Sequence, residues 1–181
     1  MRVIAGCARG TRLKAPKGMQ VRPTADRVKE ALFNILGANV PGSFFIDLYA
    51  GSGAVGIEAL SRGAEYCIFI DNYAESIAAI KYNLSKTRLL AAAEIIRGDV
   101  LKTIVKLSLE KISADIIFLD PPYLSGNLLP IASQILNGPL LRNKGLLVVE
   151  HAAVGREQIN SLPGVRQKRY GDTCLSLIGK V

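Results

Sequence analysis

The sequence feature that most constrains the fold is a repeat that begins near residue 43. Short, almost continuously apolar segments alternate there with segments whose apolar residues recur at helical spacing. Nearly continuous apolar strands are typical of a parallel sheet that helices cover on both faces. We therefore predict strands over residues 44–49, 66–70, 93–97, 116–119 and 146–149, and helices near residues 54–63, 73–89, 99–110 and 128–137.

Two further elements flank this repeat. A helix is predicted over residues 25–36, because Thr24 is suited to cap it and an apolar stripe follows. Residues 165–170 and 173–178, joined at Gly171 and Asp172, are predicted to form a hairpin. The expected fold is α/β and Rossmann-like. Its mostly parallel seven-stranded sheet ends in an antiparallel hairpin, as in class I S-adenosylmethionine-dependent methyltransferases, whereas dinucleotide dehydrogenases usually continue with a second parallel half.

Composition limits the domain count and the type of site. The chain has 181 residues, of which 49% are hydrophobic, which suits one buried core. Its apolar runs are far shorter than the roughly 20 residues that span a bilayer, and its start lacks a secretory apolar core, so we expect a cytoplasmic protein. The three cysteines form no C-x-x-C pair and His151 is the only histidine, so we expect no metal and a packed or surface histidine.

The positive charge is concentrated at the N-terminus. The chain carries a net charge of +8, and eight of its Lys and Arg residues fall within residues 1–30, against Asp26 and Glu30. Phosphate contacts supply most non-specific affinity for nucleic acid, so this pattern suggests a polyanionic partner. A solvated basic face would explain the charge equally well.

A glycine motif follows the first predicted strand. Gly51, Gly53 and Gly56 match G-x-G-x-x-G, and Asp71 lies twenty residues after Gly51, where a ribose ligand is expected. This pattern fits a nicotinamide cofactor as well as S-adenosylmethionine. Asp47 favours the second, because its carboxylate would repel a pyrophosphate but attract an ammonium or sulfonium group.

Asp99 follows the third predicted strand and is another acidic residue at the edge where open α/β sheets bind ligands. It is a candidate acceptor for an adenine amino group. Gly-Asp is also an ordinary turn and helix cap, so both interpretations stay open.

The motif with the most chemical content is Asp120-Pro121-Pro122-Tyr123, directly after the fourth predicted strand. The two prolines lack amide donors, so the turn presents carbonyl oxygens and a carboxylate. Such acceptors suit an exocyclic amine of a base, whose two hydrogens they would bind while aiming its nitrogen at a methyl group. Tyr123 would stack on the base, which must be unpaired or flipped out.

The chain resembles a known family, the bacterial methyltransferases that modify the 2-amino group of one guanine in small-subunit (16S) ribosomal RNA. The resemblance covers nearly the whole length and is carried by residues 2–6 with 9–10, 22–33, 47–53 and 120–123. The glycine and Asp-Pro-Pro-Tyr motifs are shared with adenine-N6 methylases. The narrower Arg-Pro-Thr-x-Asp-Arg-Val segment, which begins at Arg22, favours guanine.

The resemblance also implies roles for individual residues. Arg22 and Thr24 would hold the methionine end of S-adenosylmethionine, and Asp71 and Asp99 would bind its ribose and adenine. The chain would be one monomeric domain, with residues 1–24 a basic arm that could form a small hairpin and residues 25–181 the catalytic core. Its substrate would be small-subunit ribosomal RNA or the assembling 30S particle. The expected RNA-binding residues are Arg9, Arg12, Lys14 and Lys17.

Three other functions are compatible with parts of the sequence. An adenine-N6 methyltransferase on DNA or RNA would share the catalytic motif, although reading duplex DNA normally needs more sequence. A nicotinamide-dependent oxidoreductase would share the glycine motif. A non-catalytic RNA-binding module would share only the basic charge.

Overall fold

The computed structural model describes residues 1–16, 26–121, 128–153, 159 and 161–180. Within them the chain forms seven strands and five α-helices, none of which is long and apolar enough to cross a membrane. The strands are β1 (Phe44–Leu48), β2 (Tyr66–Asp71), β3 (Ala93–Arg97), β4 (Ala114–Leu119), β5 (Leu141–Ala152), β6 (Arg166–Tyr170) and β7 (Thr173–Gly179). The helices are α1 (Asp26–Leu36), α2 (Ala54–Ser61), α3 (Ala74–Thr87), α4 (Val100–Leu109) and α5 (Leu128–Asn137).

The strands form one sheet in the order β3-β2-β1-β4-β5-β7-β6. Strands β1 to β5 are parallel, whereas β7 runs antiparallel between β5 and β6. The predicted mostly parallel sheet with a terminal hairpin is therefore confirmed.

Side chains of the central strands alternate between two apolar layers. Phe45, Phe69, Phe118 and Val148 pack with α1, α2 and α3 on one face. The neighbouring strand residues pack with α4 and α5 on the other. Helices cover both faces of the sheet, which explains why its strands do not alternate between apolar and polar residues.

Strand β5 begins earlier than predicted. It starts at Leu141, and the start of its pairing is irregular, because Ala114 pairs with Leu141 whereas Ile116 pairs with Leu146. The intervening residues include the exposed, polar Arg142 and Lys144. A search for apolar runs therefore finds only the buried second half of this strand.

Residues 1–16 form a small hairpin that we call the N-terminal hairpin. Arg2 and Arg12 pair as an antiparallel bridge, and the N–H of Val3 donates to Thr11 O at 3.0 Å. Val3, Ala8 and Leu13 are buried in the layer that contains α1 to α3. These three side chains are thus part of the domain core.

Candidate active site

The predicted catalytic and cofactor residues that the structure describes lie at one edge of the sheet. Parallel strands end there together, because Leu48 pairs with Leu119 and Leu119 pairs with Val149. The glycine turn follows β1, and Asp120 follows β4. This is the edge at which open α/β sheets bind ligands.

The glycine turn is closely packed between β1 and α2. Gly53 caps α2 in the left-handed region, with φ of 75°. A Cβ atom at Gly56 would lie 2.3 Å from Phe69 Cε1, so only glycine lets α2 approach β2 so closely. The turn also contains Tyr49 at φ 59°, a left-handed conformation that costs a non-glycine residue about 1 kcal/mol or more. Strain of this kind is concentrated at functional sites.

Tyr49 lies in the segment 47–53 that carries the family resemblance, but no role was predicted for it. It is partly buried, and burial followed by the charge of Asp99 raises the pKa of its phenol. Tyr49 therefore lies at the same edge of the sheet as Asp99, within range of its charge. Its position in a left-handed turn is set by backbone geometry, which leaves no spacing signal in the sequence.

Asp47 lies behind the glycine turn. Its side chain is buried, and its Oδ2 accepts the Gly56 N–H at 2.9 Å. Burial raises the pKa of this carboxyl to about 8, and the charges of Asp71 and Glu150 act in the same direction, against the Gly56 hydrogen bond. Asp47 thus anchors the start of α2, and its predicted attraction for a cofactor stays a prediction.

Asp71 connects the end of β2 to the glycine turn. Its Oδ2 accepts the Gly51 N–H at 2.8 Å and its Oδ1 accepts the Tyr73 N–H at 2.9 Å. A carboxylate oxygen has two acceptor positions, so these bonds leave capacity for ribose hydroxyls. The ribose role stays a prediction.

Asp99 acts as the helix cap that the sequence allowed. Its Oδ1 accepts the Lys102 N–H at 3.0 Å and so caps α4. The residue is exposed at the same edge as Asp71. Its predicted contact with adenine is compatible with this position and stays a prediction.

Asp120 and Pro121 begin the acceptor-rich turn after β4. Asp120 is partly buried, and burial followed by the charges of Glu150 and Asp47 raises its pKa well above the ordinary aspartate range. Pro122 and Tyr123 lie outside the described residues, as do Lys17, Arg22 and Thr24. The roles predicted for these five residues stay predictions.

Glu150 is a site residue that the motifs did not reveal. It is 4% exposed, two residues after Val148 on β5, and its side chain therefore faces the α2 side of the sheet. Asp47 and Asp71 likewise lie two residues after Phe45 and Phe69, so their side chains face the same side of the sheet. A buried glutamate at the end of an apolar strand was the only available signal.

The N-terminal hairpin is held in place by side chains of α2. The buried Glu58 accepts the N–H groups of Ile4 at 2.7 Å and Ala5 at 3.0 Å. It also lies 3.3 Å from Lys29 Nζ and 2.7 Å from Arg62 Nε. Burial lowers the pKa of Lys29, against the opposing effect of Glu58.

Asn83 of α3 joins the hairpin to the glycine turn. Its Nδ2 donates to Lys14 O and to Ser52 O, both at 2.9 Å, and its Oδ1 accepts the Lys14 N–H at 2.8 Å. The side chains of Arg9, Arg12 and Lys14 are exposed on the outside of the hairpin. Their predicted contact with RNA is therefore sterically open.

His151 is packed inside the protein, one of the two alternatives that the sequence left for it. Its Nδ1 lies 2.8 Å from Ala152 O and its Nε2 lies 2.8 Å from Ser176 Oγ. In the described part of the chain, no group of three or more His, Cys, Asp or Glu residues could hold a metal ion.

Comparison with known proteins identifies relatives over the whole chain. The family model described as Conserved hypothetical protein 95 matches residues 1–179. YlbH of Bacillus subtilis strain 168, which is named as an rRNA methyltransferase, is 38% identical over 182 residues and 99% of each chain. Ribosomal RNA small subunit methyltransferase D of Escherichia coli K12 is 34% identical over 166 residues, which cover 91% of this chain and 79% of that one.

Solved structures show the same architecture. A hypothetical protein of Thermus thermophilus matches with a TM-score of 0.85 and 30% identity over 98% of both chains. The Escherichia coli protein yhhF, named as a methyltransferase, matches with a TM-score of 0.84 and 29% identity, over 99% of this chain and 97% of that one. An RNA methyltransferase from Salinibacter ruber, solved with S-adenosyl-L-homocysteine, shares the fold at a TM-score of 0.69 and 15% identity, over 87% of this chain and 93% of that one.

These matches confirm the family and the fold class that the motifs predicted. The chain belongs to the Conserved hypothetical protein 95 family, together with ribosomal RNA small subunit methyltransferase D, and has the Rossmann-like fold of class I S-adenosylmethionine-dependent methyltransferases.

Proposed function

We propose that this protein methylates the exocyclic N2 amino group of a guanine in small-subunit ribosomal RNA, with S-adenosylmethionine as the methyl donor. The observation that carries the proposal is the position of the Asp120–Pro121 turn beside the glycine turn, at one edge of the sheet. The names of the relatives support ribosomal RNA as the substrate. The N2 position and the guanine base rest on the resemblance of the segment that begins at Arg22.

The chemistry of the edge fits S-adenosylmethionine better than a dinucleotide. Asp47, Asp71, Asp120 and Glu150 bring several carboxyl groups together, and a bound cation would favour their ionised forms. This edge would therefore accept the ammonium and sulfonium groups of this cofactor more readily than a pyrophosphate. When bound, S-adenosylmethionine supplies an electrophilic methyl group. The glycine turn, Asp71 and Asp99 would hold it.

The target amine would be held by acceptors of the turn. The Asp120 carboxylate and the Pro121 carbonyl oxygen would accept its two hydrogens, which orients the nitrogen and increases its electron density. The raised pKa of Asp120 suits it to take up the proton that the methylated nitrogen must lose, because a more basic carboxylate accepts protons more readily.

The function is tested by methylation of small ribosomal subunits from a strain that lacks this activity. We expect label from tritiated S-adenosylmethionine in one guanine, located by mass mapping, and Asp120→Ala should abolish transfer while S-adenosylhomocysteine affinity stays within a few-fold. Glu65→Ala is a matched control, because it removes an exposed carboxylate that precedes β2 at the opposite edge.

Other outcomes would identify the alternatives. Label only in adenine of DNA or RNA would favour an N6 methyltransferase. Tight NAD binding without binding of S-adenosylhomocysteine would indicate an oxidoreductase. Methylation that persists in a strain carrying only Asp120→Ala would leave a non-catalytic RNA-binding module.

A further inference from the structure

The second half of the N-terminal hairpin, residues 11–16, runs alongside α3 in the opposite direction. Near the end of α3, Lys86 Nζ donates to Arg12 O at 2.9 Å. Near its start, Glu75 lines the same cavity of about 270 Å³ as Pro16. Hairpin and helix therefore form one continuous outer surface, which approaches the catalytic edge at the start of α3.

Tyr82 lies in the middle of this surface. Its side chain is 49% exposed, and Lys14 Nζ lies 5.1 Å from the centre of its ring. A cation at this distance is attracted to the face of the ring. Lys14 thus lies over one face of the ring, and about half of the Tyr82 surface stays exposed to solvent.

The exposed charges of the N-terminal hairpin and α3 are predominantly positive. Lys81 and Lys86 of α3 and Arg9, Arg12 and Lys14 of the hairpin are all exposed. Glu75 is the acidic residue of this helix stripe and lies at the end nearest the catalytic edge. An exposed aromatic ring among cations is the combination that binds single-stranded nucleic acid, because bases stack on the ring while cations contact phosphates.

We propose that Tyr82 stacks an unpaired nucleotide of the RNA substrate and that Lys14 and Lys86 contact the adjacent phosphates. The inference rests on RNA being the substrate. At 1.5 Å per residue, Tyr82 lies about 12 Å along the helix axis from Ala74, so a short single strand could reach it from the catalytic edge. A site of this kind would select unpaired RNA.

Binding of a labelled single-stranded RNA of about 12 nucleotides, and of a duplex with the same sequence, tests this inference. Tyr82→Ala should weaken single-strand binding about fivefold or more, because stacking contributes roughly 1–3 kcal/mol per base. Tyr82→Phe keeps the ring and should stay within about twofold. Leu109→Ala, which changes a 78% exposed apolar side chain on α4, should have no effect.

Two results would overturn the inference. One is unchanged single-strand affinity in Tyr82→Ala. The other is an equal loss for the duplex, which would indicate a general electrostatic change. Tyr82 is exposed and alanine favours helices, so the variant should fold, which a thermal melt verifies.

Salt dependence tests the cations separately. A plot of log binding affinity against log salt concentration should be less steep for Lys86→Gln, by about 1, which corresponds to one lost phosphate contact. Lys106→Gln on α4 should leave the slope unchanged, and a fall in both variants, or in neither, would contradict a phosphate contact at Lys86.

Separate measurements of RNA binding and of methylation distinguish this inference from the proposed function. Asp120→Ala should still bind RNA in a Tyr82-dependent manner. If guanine methylation is absent but Tyr82 dependence persists, the proposed reaction is wrong and the stacking site stands. If methylation occurs and Tyr82→Ala leaves both KM and binding unchanged, the stacking site is wrong.

Discussion

A buried carboxyl group lies near each end of α2, and the two have opposite electrostatic surroundings. Near its C-terminal end, Glu58 has Lys29 and Arg62 within 3.3 Å and two backbone N–H groups as donors. At its N-terminal end, Asp47 has the Gly56 N–H, and its charged neighbours are Asp71 and Glu150. The first cluster joins the hairpin to the core. The second places acidic residues close together where the proposed reaction occurs. Such an arrangement destabilises the fold, and it is typical of functional sites.

The largest expected effect comes from breaking the compensated cluster. Glu58→Ala leaves Lys29 buried without its partner and removes the acceptor of Ile4 and Ala5. Loss of one member of a buried ion pair typically costs about 3–5 kcal/mol. Urea unfolding should show this loss, and adding Lys29→Met should restore part of it. If the double variant is no more stable than Glu58→Ala, the lost stability comes from the hairpin contacts alone.

An intermediate effect is expected at the other end of α2. Because folding raises the pKa of Asp47 from 3.8 to about 8, the folded chain binds its proton more tightly than the unfolded chain does. Its destabilising contribution is therefore absent below about pH 4, grows as pH rises, and is complete above about pH 8. Asp47→Asn should gain stability relative to the native chain as pH rises from about 4 to about 8, and the two should be equally stable near pH 4.

Unfolding experiments at several pH values check this prediction. A constant difference between Asp47→Asn and the native chain across that range would mean that titration of Asp47 is not its origin. Asp115→Asn is a useful control, because Asp115 lies at the opposite edge of the sheet and pairs with Arg142 at 2.7 Å.

The smallest effect concerns the pH dependence of catalysis. Glu150 contributes to the raised pKa of Asp120, and an ionised Asp120 is needed as the acceptor in the proposed reaction. Glu150→Gln should therefore move the rising limb of the pH–rate profile to lower pH, by up to about one unit. A limb that keeps its position would show that Glu150 does not influence the catalytic carboxyl.

Much of the architecture followed from the sequence because burial on both faces leaves a strong signal. Residues 44–48 and 66–70 form strands as predicted, since each is apolar almost throughout. The exposed start of β5 at Arg142 to Lys144 gave no such signal and was missed. The glycine turn was predictable as well, because a tight strand-to-helix connection requires Gly53 and Gly56.

Contacts between distant residues were not predictable. Asp47 was expected at the site, and the structure adds that it lies behind the turn on the Gly56 N–H. The N-terminal residues were predicted to be a basic arm, but their backbone is bound by Glu58 and Asn83. Such side-chain-to-backbone bonds depend on no residue type in the hairpin, so they leave no motif.

The attachment of the N-terminal hairpin has a consequence for biosynthesis. Its backbone partners follow it in the chain by 53 residues at Glu58, 69 at Asn83 and 74 at Lys86. Synthesis proceeds from the N-terminus, so the hairpin is made before α2 and α3 and must wait for them before it can dock. Contacts of such long sequence separation form slowly. The basic hairpin is therefore exposed beside the translating ribosome until the first half of the sheet has folded.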